Sequence, residues 1–355
     1  MNRPPPGSGH VSRPALTLLL CALSLVVGLL LAESILRLLG YGDAIQYDYV
    51  DELGWVHQPN QHARTVGGWT VRIDSAGLRG PEYARVKGPG VFRILLVGDS
   101  FTFGYGVAED STYGAQLQRL LRDGGASCGT VQVINGGVNG YNTDQEVAFV
   151  RRVGSAFRPD VVVLGFNPND IMAPAEGKTM LHRPGLKKLL GRSALYQFLV
   201  PRIKAVVLRQ AGEGYDSTIA RFIAGDRSVD DRAERVGEAI EILHALAAEH
   251  SFKLVVAVFP FATQVYGTAG DWPPSVFRRL EATSNIPILD VLPALRSAAR
   301  EGRSLFLDEP TRHPNPQGLH IVAGELQRLL QSRGLLPACS SSVARLPAGA
   351  SVRGR

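Results

Sequence analysis

"VFRILLVGDSFTFGYG", residues 91–106, carries an almost unbroken apolar run to Gly-Asp-Ser and then enters a glycine-rich turn. A strand with one wet face would alternate apolar and polar residues; a run apolar on successive positions fits a strand covered on both faces, as in a parallel sheet. The same reading applies to "VQVIN" (131–135), "DVVVLGF" (160–166), "FKLVVAVF" (252–259) and "IPILDV" (286–291). Between them lie stretches with helical periodicity. "STYGAQLQRLLRD" follows the first strand, "TDQEVAFVRRV" the second, and "DDRAERVGEAIEILHALAAEH" precedes the fourth. In the second of these, Thr143 and Glu146 have capping-box spacing. Alternating strands and helices predict an α/β fold, a three-layer α/β/α sandwich around a five-stranded parallel sheet.

Ser100 can be read in two ways. A serine just past a strand is a favoured helix cap, and it is also where a nucleophile would be held at the rim of a sheet. Ligands of open parallel sheets bind beyond the carboxyl ends of the strands. Three polar, glycine-bearing loops are expected there: "GDS" at 98–100, "GGVNGYN" at 136–142 and "GFNPND" at 165–170. A serine nucleophile also needs a base within hydrogen-bond reach, an orienting acid and donors for an oxyanion. The stretch "FLDEPTRHPNPQGLHIVAGELQRLL" offers the base. Asn315 is a good N-cap and Pro316 suits the first helical position. Leu319, Val322, Leu326 and Leu329 form an apolar stripe, and His313 stands just outside the helix start. A helix amino terminus disfavours a cationic imidazole, so a base there gains from a nearby carboxylate, with Asp308 and Glu309 in the same loop. His320 reads as a structural residue on the helix surface.

Taken together, "GDSFTFG", "NGGVNGYNTDQE", "NPND" and "HPNPQGLHIVA" resemble the four ordered blocks of the SGNH, or GDSL-type, hydrolases, over roughly residues 91–332. "SAGLRGPEY" with an apolar amino terminus resembles membrane-tethered bacterial members, some of which modify exopolysaccharides. The resemblance implies a flavodoxin-like sheet, Ser100 as nucleophile and His313 as base. It implies an oxyanion hole from the backbone N–H groups of Ser100 and Gly140 and the side-chain amide of Asn169. The site differs from a G-x-S-x-G elbow, because position 102 is Thr. It also departs from the family pattern, which places an aspartate three residues before the histidine, where Pro310 stands here. The orienting acid is then Asp308, with Glu309 as the alternative.

The amino terminus sets the location. Residues 15–32, "ALTLLLCALSLVVGLLLA", hold no charge over 18 positions, roughly 27 Å as a helix and close to the thickness of a bilayer's hydrocarbon core. A cleaved signal peptide is the competing reading, but Leu30 sits poorly before a cut after Ala32 and the pattern continues into "ESILRLLGY". Arg3 and Arg13 precede the run and Glu33 is the first charge after it, which places the amino terminus in the cytoplasm and the rest outside the inner membrane. The expected organisation is a cytoplasmic segment (1–13), a transmembrane anchor (14–40) and a connecting region with a short hairpin at "WTVRID" (41–90). The hydrolase-like domain (91–335) follows with an insertion at 171–229, and then a disordered tail (336–355).

Composition narrows the partners. The net charge of +6 comes from scattered arginines rather than a basic patch with interleaved aromatics, which argues against nucleic acid. Three cysteines are too few for a disulfide framework; Cys128 and Cys339 could pair or stay free thiols, and Cys21 lies in the apolar run. No histidine pair has metal-ligand spacing and no glycine loop has the order of a nucleotide site, so neither metal nor cofactor is expected. The expected substrate is an acylated carbohydrate or lipid, with removal of an acyl, above all acetyl, group. Two other readings stand beside this esterase: an O-acyltransferase that passes the group to a sugar hydroxyl, and a catalytically silent carbohydrate-binding or assembly protein that keeps the fold.

Overall fold

The computed structural model describes residues 13–64, 68–123, 129–171, 191–210, 228–267, 275–308 and 312–337. The chain divides into two compact units, residues 1–44 with 183–207, and residues 45–182 with 208–355. In the first, helix α1 (Arg13–Leu38) is 26 residues long and has no buried residue. It is the one helix among the described residues long and apolar enough to cross a membrane. Most of a 17-residue helix, α5 (Ala194–Gln210), belongs to the same unit.

The second unit opens with two antiparallel hairpins, β1 (Tyr47–Val50) with β2 (Gly54–His57), and β3 (Gln61–Arg64) with β4 (Thr70–Ile73). The second contains the expected "WTVRID" strand. Then come β5 (Val91–Gly98), α2 (Ser100–Phe103), α3 (Tyr113–Asp123), β6 (Thr130–Asn135), α4 (Thr143–Arg152) and β7 (Val161–Phe166). After α5 follow α6 (Ser228–His250), β8 (Lys253–Val258), α7 (Ala262–Val265), α8 (Ser275–Ser284), β9 (Ile288–Asp290), α9 (Leu292–Arg300) and α10 (Pro316–Ser332). The five long-range strands form one parallel sheet in the order β6-β5-β7-β8-β9. This is the doubly wound 2-1-3-4-5 order, which changes winding direction at β5.

Both faces of the sheet are covered, which is why the strands read as continuous apolar runs. Leu95 and Val97 of β5 pack under α4 and α6 with Val147, Val150, Ile240 and Leu243. Ile94 and Leu96 pack on the opposite side with Leu117 of α3, Leu295 of α9, and Val322 and Leu326 of α10. Each such side chain is worth about 1.5–3 kcal/mol on full burial. The one charge in β5, Arg93, is buried and donates to Phe157 O at 2.7 Å, Ala84 O at 2.6 Å and Gln132 Oε1 at 2.7 Å. Oriented acceptors replace the water it gives up.

Two details differ from the sequence reading. The α4 capping box is one residue earlier than expected, because Asn142 accepts from Gln145 N and Gln145 reaches back to Asn142 N. That releases Glu146 from capping, and its side chain is fully buried instead. In α10, Leu330 is fully buried and Leu329 only partly. The proposed tail from 338 onward, Cys128, Cys339, Glu309, and residues 172–190 and 211–227 of the insertion lie outside the described residues.

Candidate active site

β5 delivers the chain to Asp99, and Asp99 rather than Ser100 caps the short helix that follows: its Oδ1 accepts from Phe101 N at 2.8 Å. Ser100 is therefore released from the capping role that its position allowed. The helix lasts four residues and ends on Gly104 at φ +84°, the left-handed region. One buried guanidinium closes that end. Arg79, from "SAGLRG", donates to Phe103 O at 2.7 Å, Gly104 O at 2.6 Å and Val107 O at 2.8 Å. Burial lowers its pKa to about 10, which leaves it a cation at neutral pH.

His313 arrives from the other end of the domain. Asn315 caps α10 by accepting from Gln317 N and Gly318 N, with Pro316 next to it, as the sequence requires. His313 O accepts from Leu307 N at 2.8 Å, so the loop before the helix is pinned on both sides of the ring. Its Nε2 lies 2.8 Å from Ser100 Oγ, across 213 residues of sequence. The imidazole is 7% exposed and packs against the rings of Phe101 and Tyr105, at centroid distances of 5.3 and 4.7 Å. Ser100 Oγ also lies 3.3 Å from Asp99 Oδ2. A hydroxyl has one hydrogen, and the shorter contact marks His313 Nε2 as its acceptor in the tautomer protonated at Nδ1.

Asn169 lies on a short turn, Pro168–Ile171, beyond β7, and its Nδ2 donates to Asp99 Oδ2 at 3.0 Å. Asp99 thus touches both Ser100 and the amide of Asn169. Burial raises its pKa, against the lowering effect of the Asn169 amide and the Phe101 N–H. Two more buried carboxyls lie nearby in the core. Glu146 and Asp170 are both held well above the ordinary carboxylate range by burial, and each is raised further by Asp99.

The loop bearing Gly140 is tied to the same edge. Val138 N donates to Gly98 O at 2.9 Å, and a Cβ at Gly137 would stand 2.2 Å from Phe103 N, so only glycine lets the loop cross the end of α2 this closely. Gly140 itself has φ +76°. The first hairpin holds the loop from outside. Trp55 Nε1 donates to Asn139 O at 2.9 Å, Asn139 Nδ2 to Tyr47 Oη at 2.9 Å and Tyr141 Oη to Trp55 O at 2.6 Å. Gln145 adds a bond to Leu53 O at 2.7 Å.

Ser100, His313 and Asn169 therefore gather around Asp99, with the Gly140 loop on the same rim. Asp308 is exposed, and among the described residues no hydrogen bond or ion pair joins it to His313. His320 bonds Gln116 Oε1 at 2.7 Å, a structural contact as expected. The sequence reading missed Asp99 and the Trp55 hairpin. Asp99 was visible as the middle residue of "GDS"; the hairpin's part depends on contacts 84 and 86 residues distant in sequence, for which a single sequence has no signal.

A model of the GDSL-like lipase/acylhydrolase family matches residues 96–321. No curated protein matches the chain. Among solved structures, a lipase/acylhydrolase from Enterococcus faecalis is similar at 18% identity, covering 68% of this chain and 96% of that one, with a TM-score of 0.38. An acetyl xylan esterase from Geobacillus stearothermophilus is similar at 16% identity, covering 72% and 100%, with a TM-score of 0.41. The esterase EstA from Pseudoalteromonas is similar at 11% identity, covering 68% and 97%, with a TM-score of 0.41.

Proposed function

The chain belongs to the GDSL-like lipase/acylhydrolase family and is an ester-bond hydrolase, and from that premise we propose that it removes O-acyl groups, above all acetyl, from a carbohydrate or lipid at the cell surface through an acyl-enzyme. The observation that carries this reading is the 2.8 Å contact between Ser100 Oγ and His313 Nε2. Ser100 Oγ attacks the acyl carbonyl while His313 Nε2 takes its proton. The tetrahedral oxyanion is received by the N–H groups of Ser100 and Gly140 and the Asn169 amide. His313 then gives the proton to the departing alcohol oxygen, leaving the acyl group on Ser100. Water, deprotonated by His313, completes the hydrolysis and restores the serine.

The orienting carboxylate comes from the loop before His313, from Asp308 or from its neighbour Glu309. The substrate class is supported by the resemblance of "SAGLRGPEY" and the apolar amino terminus to tethered members of the family, and by the partly exposed Tyr105 ring beside the base. We read α1 as an uncleaved anchor with the second unit on the extracytoplasmic side, on the strength of the charges that flank it.

Two assays test this. Purified protein should hydrolyse p-nitrophenyl acetate, and Ser100→Ala should lower kcat by more than about a thousandfold; equal rates would leave a silent binding protein. Of Asp308→Asn and Glu309→Gln, the one that removes the orienting acid should cost about a thousandfold or more in kcat, while the other stays within a few-fold. Acetyl release from the organism's own surface polysaccharide assigns the substrate, and transfer to an added sugar hydroxyl instead of release would make the second half-reaction an acyltransfer.

A further inference from the structure

Helix α5 exposes apolar side chains that no described contact covers. Leu199, Ile203, Val206 and Val207 are 42%, 57%, 53% and 57% exposed. Their spacing of four, three and one residues lines them up as one stripe within about a third of the helix circumference. The segment 191–210 holds four basic residues, Arg192, Arg202, Lys204 and Arg209, and no acidic one. At the edge of the stripe the Arg202 guanidinium lies over the Phe198 ring, 3.8 Å from its centroid, and donates to Tyr41 Oη at 3.2 Å.

The position of this helix is tied to α1. Glu33, on the last turns of α1, accepts from Ser193 Oγ at 2.8 Å, Ala194 N at 2.9 Å and Leu195 N at 3.0 Å, which caps the start of α5. Arg37 donates to Arg192 O at 2.8 Å, and Gln197 Oε1 accepts from Gly42 N at 2.9 Å. The Tyr41 and Phe198 rings meet edge to face at 5.1 Å. Wherever the end of α1 leaves the hydrocarbon, the first turn of α5 is within hydrogen-bond reach of that level.

We propose that α5 lies on the membrane surface beside the exit of α1, with Leu199, Ile203, Val206 and Val207 in the acyl boundary and Arg202 among anionic headgroups. This rests on the reading of α1 as a membrane span. An exposed apolar stripe with a guanidinium at its edge, on a helix bonded to the end of a membrane span, suits a helix that rests in the interface plane. The arginine flanking the stripe can keep its charge at headgroup level while its stem covers apolar surface. Such a helix would give the first unit a second point of membrane attachment, beyond the single span.

The test uses the full chain with its three cysteines replaced by serine and reconstituted in vesicles of phosphatidylcholine with a minority of phosphatidylglycerol. Single cysteines at Ile203→Cys, Leu25→Cys and the exposed Glu238→Cys of α6 carry an environment-sensitive fluorophore. Lipids brominated just below the carbonyl should quench the 203 probe by more than about half, with blue-shifted emission, and should leave 238 unchanged. Mid-bilayer bromine should quench 25. Quenching at 25 with an unquenched, water-like 203 overturns the proposal and leaves the anchor standing. No quenching at either position overturns both. A 203 probe that is blue-shifted without lipid quenching and crosslinks between copies would give the stripe to a second copy of the chain, which also overturns it. Ile203→Glu with Val207→Glu is an independent variant: it should abolish headgroup-level quenching of a Leu199→Cys probe and leave p-nitrophenyl acetate hydrolysis unchanged.

Discussion

Asp99 is the residue on which the rim converges. Its two oxygens hold two donors, Phe101 N–H at 2.8 Å and the Asn169 amide at 3.0 Å, and one oxygen stands 3.3 Å from the serine hydroxyl. Asp99 holds one hydrogen of that amide and so fixes its orientation, which leaves the other for the oxyanion role we propose for Asn169. Asn169→Ala should therefore lower kcat on p-nitrophenyl esters roughly a hundredfold or more, about 3 kcal/mol, with KM changed little, because the lost donor acts on the transition state. Steady-state kinetics check this, and an equal loss in KM would assign Asn169 to ground-state binding. At this scale the sequence was informative about identity but silent about partnership. Ser100, Asn169 and His313 stood out by residue type and motif, whereas the division of labour between Ser100 and Asp99 depends on which of two neighbouring side chains turns back on the helix.

The first hairpin is the element that most changes the reading of the site. It lies ahead of residues 96–321, the stretch matched by the family model, yet it bonds the loop of Gly140 on both sides of that glycine. Trp55→Phe keeps most of the buried ring and deletes only the bond to Asn139 O. It should cost about 1 kcal/mol of stability and lower kcat several-fold at unchanged KM, as the Gly140 N–H loses its fixed direction. Thermal unfolding and kinetics on the same preparation separate the two effects, and a stability loss with no change in kcat would reduce the hairpin to a structural brace. Elements with strong local signals were legible: the five strands fall within one or two residues of their apolar runs, and the Asn315-Pro316 start of α10 is where its capping chemistry put it. Elements whose role is long-range were not. The capping box of α4 moved by one residue because Asn142 competes with Thr143 for the same N–H groups, and local spacing cannot weigh that competition against burial of Glu146.

Across the whole molecule, the buried carboxyls give stability a pH dependence. Glu146 and Asp170 have folded pKa values raised above their unfolded ones, so the folded state holds protons that the unfolded chain has lost. Their contribution is fully present below the unfolded pKa, near 4–4.5, and is lost as the pH rises through the folded values. His57 acts in the opposite sense. Burial lowers it to about 4, so the stability it supports is present above about 6.5 and is lost as the pH falls toward 4. Glu146→Gln removes one titration: its melting temperature relative to the native chain should climb as the pH rises above the ordinary glutamate range and level off beyond the folded pKa. Parallel curves from circular dichroism would show that Glu146 does not titrate on unfolding. The doubly wound sheet itself was legible from the alternation of apolar runs and helices, but the buried acids were not, since a glutamate on an amphipathic helix reads as solvated until the neighbouring layer is known. One further consequence follows from the 213 residues that separate hydroxyl and imidazole. A ribosome must finish almost the entire domain before the imidazole can reach the hydroxyl, so, on the mechanism we propose, a nascent or carboxy-truncated chain should hydrolyse no ester until the last helix has closed on the sheet.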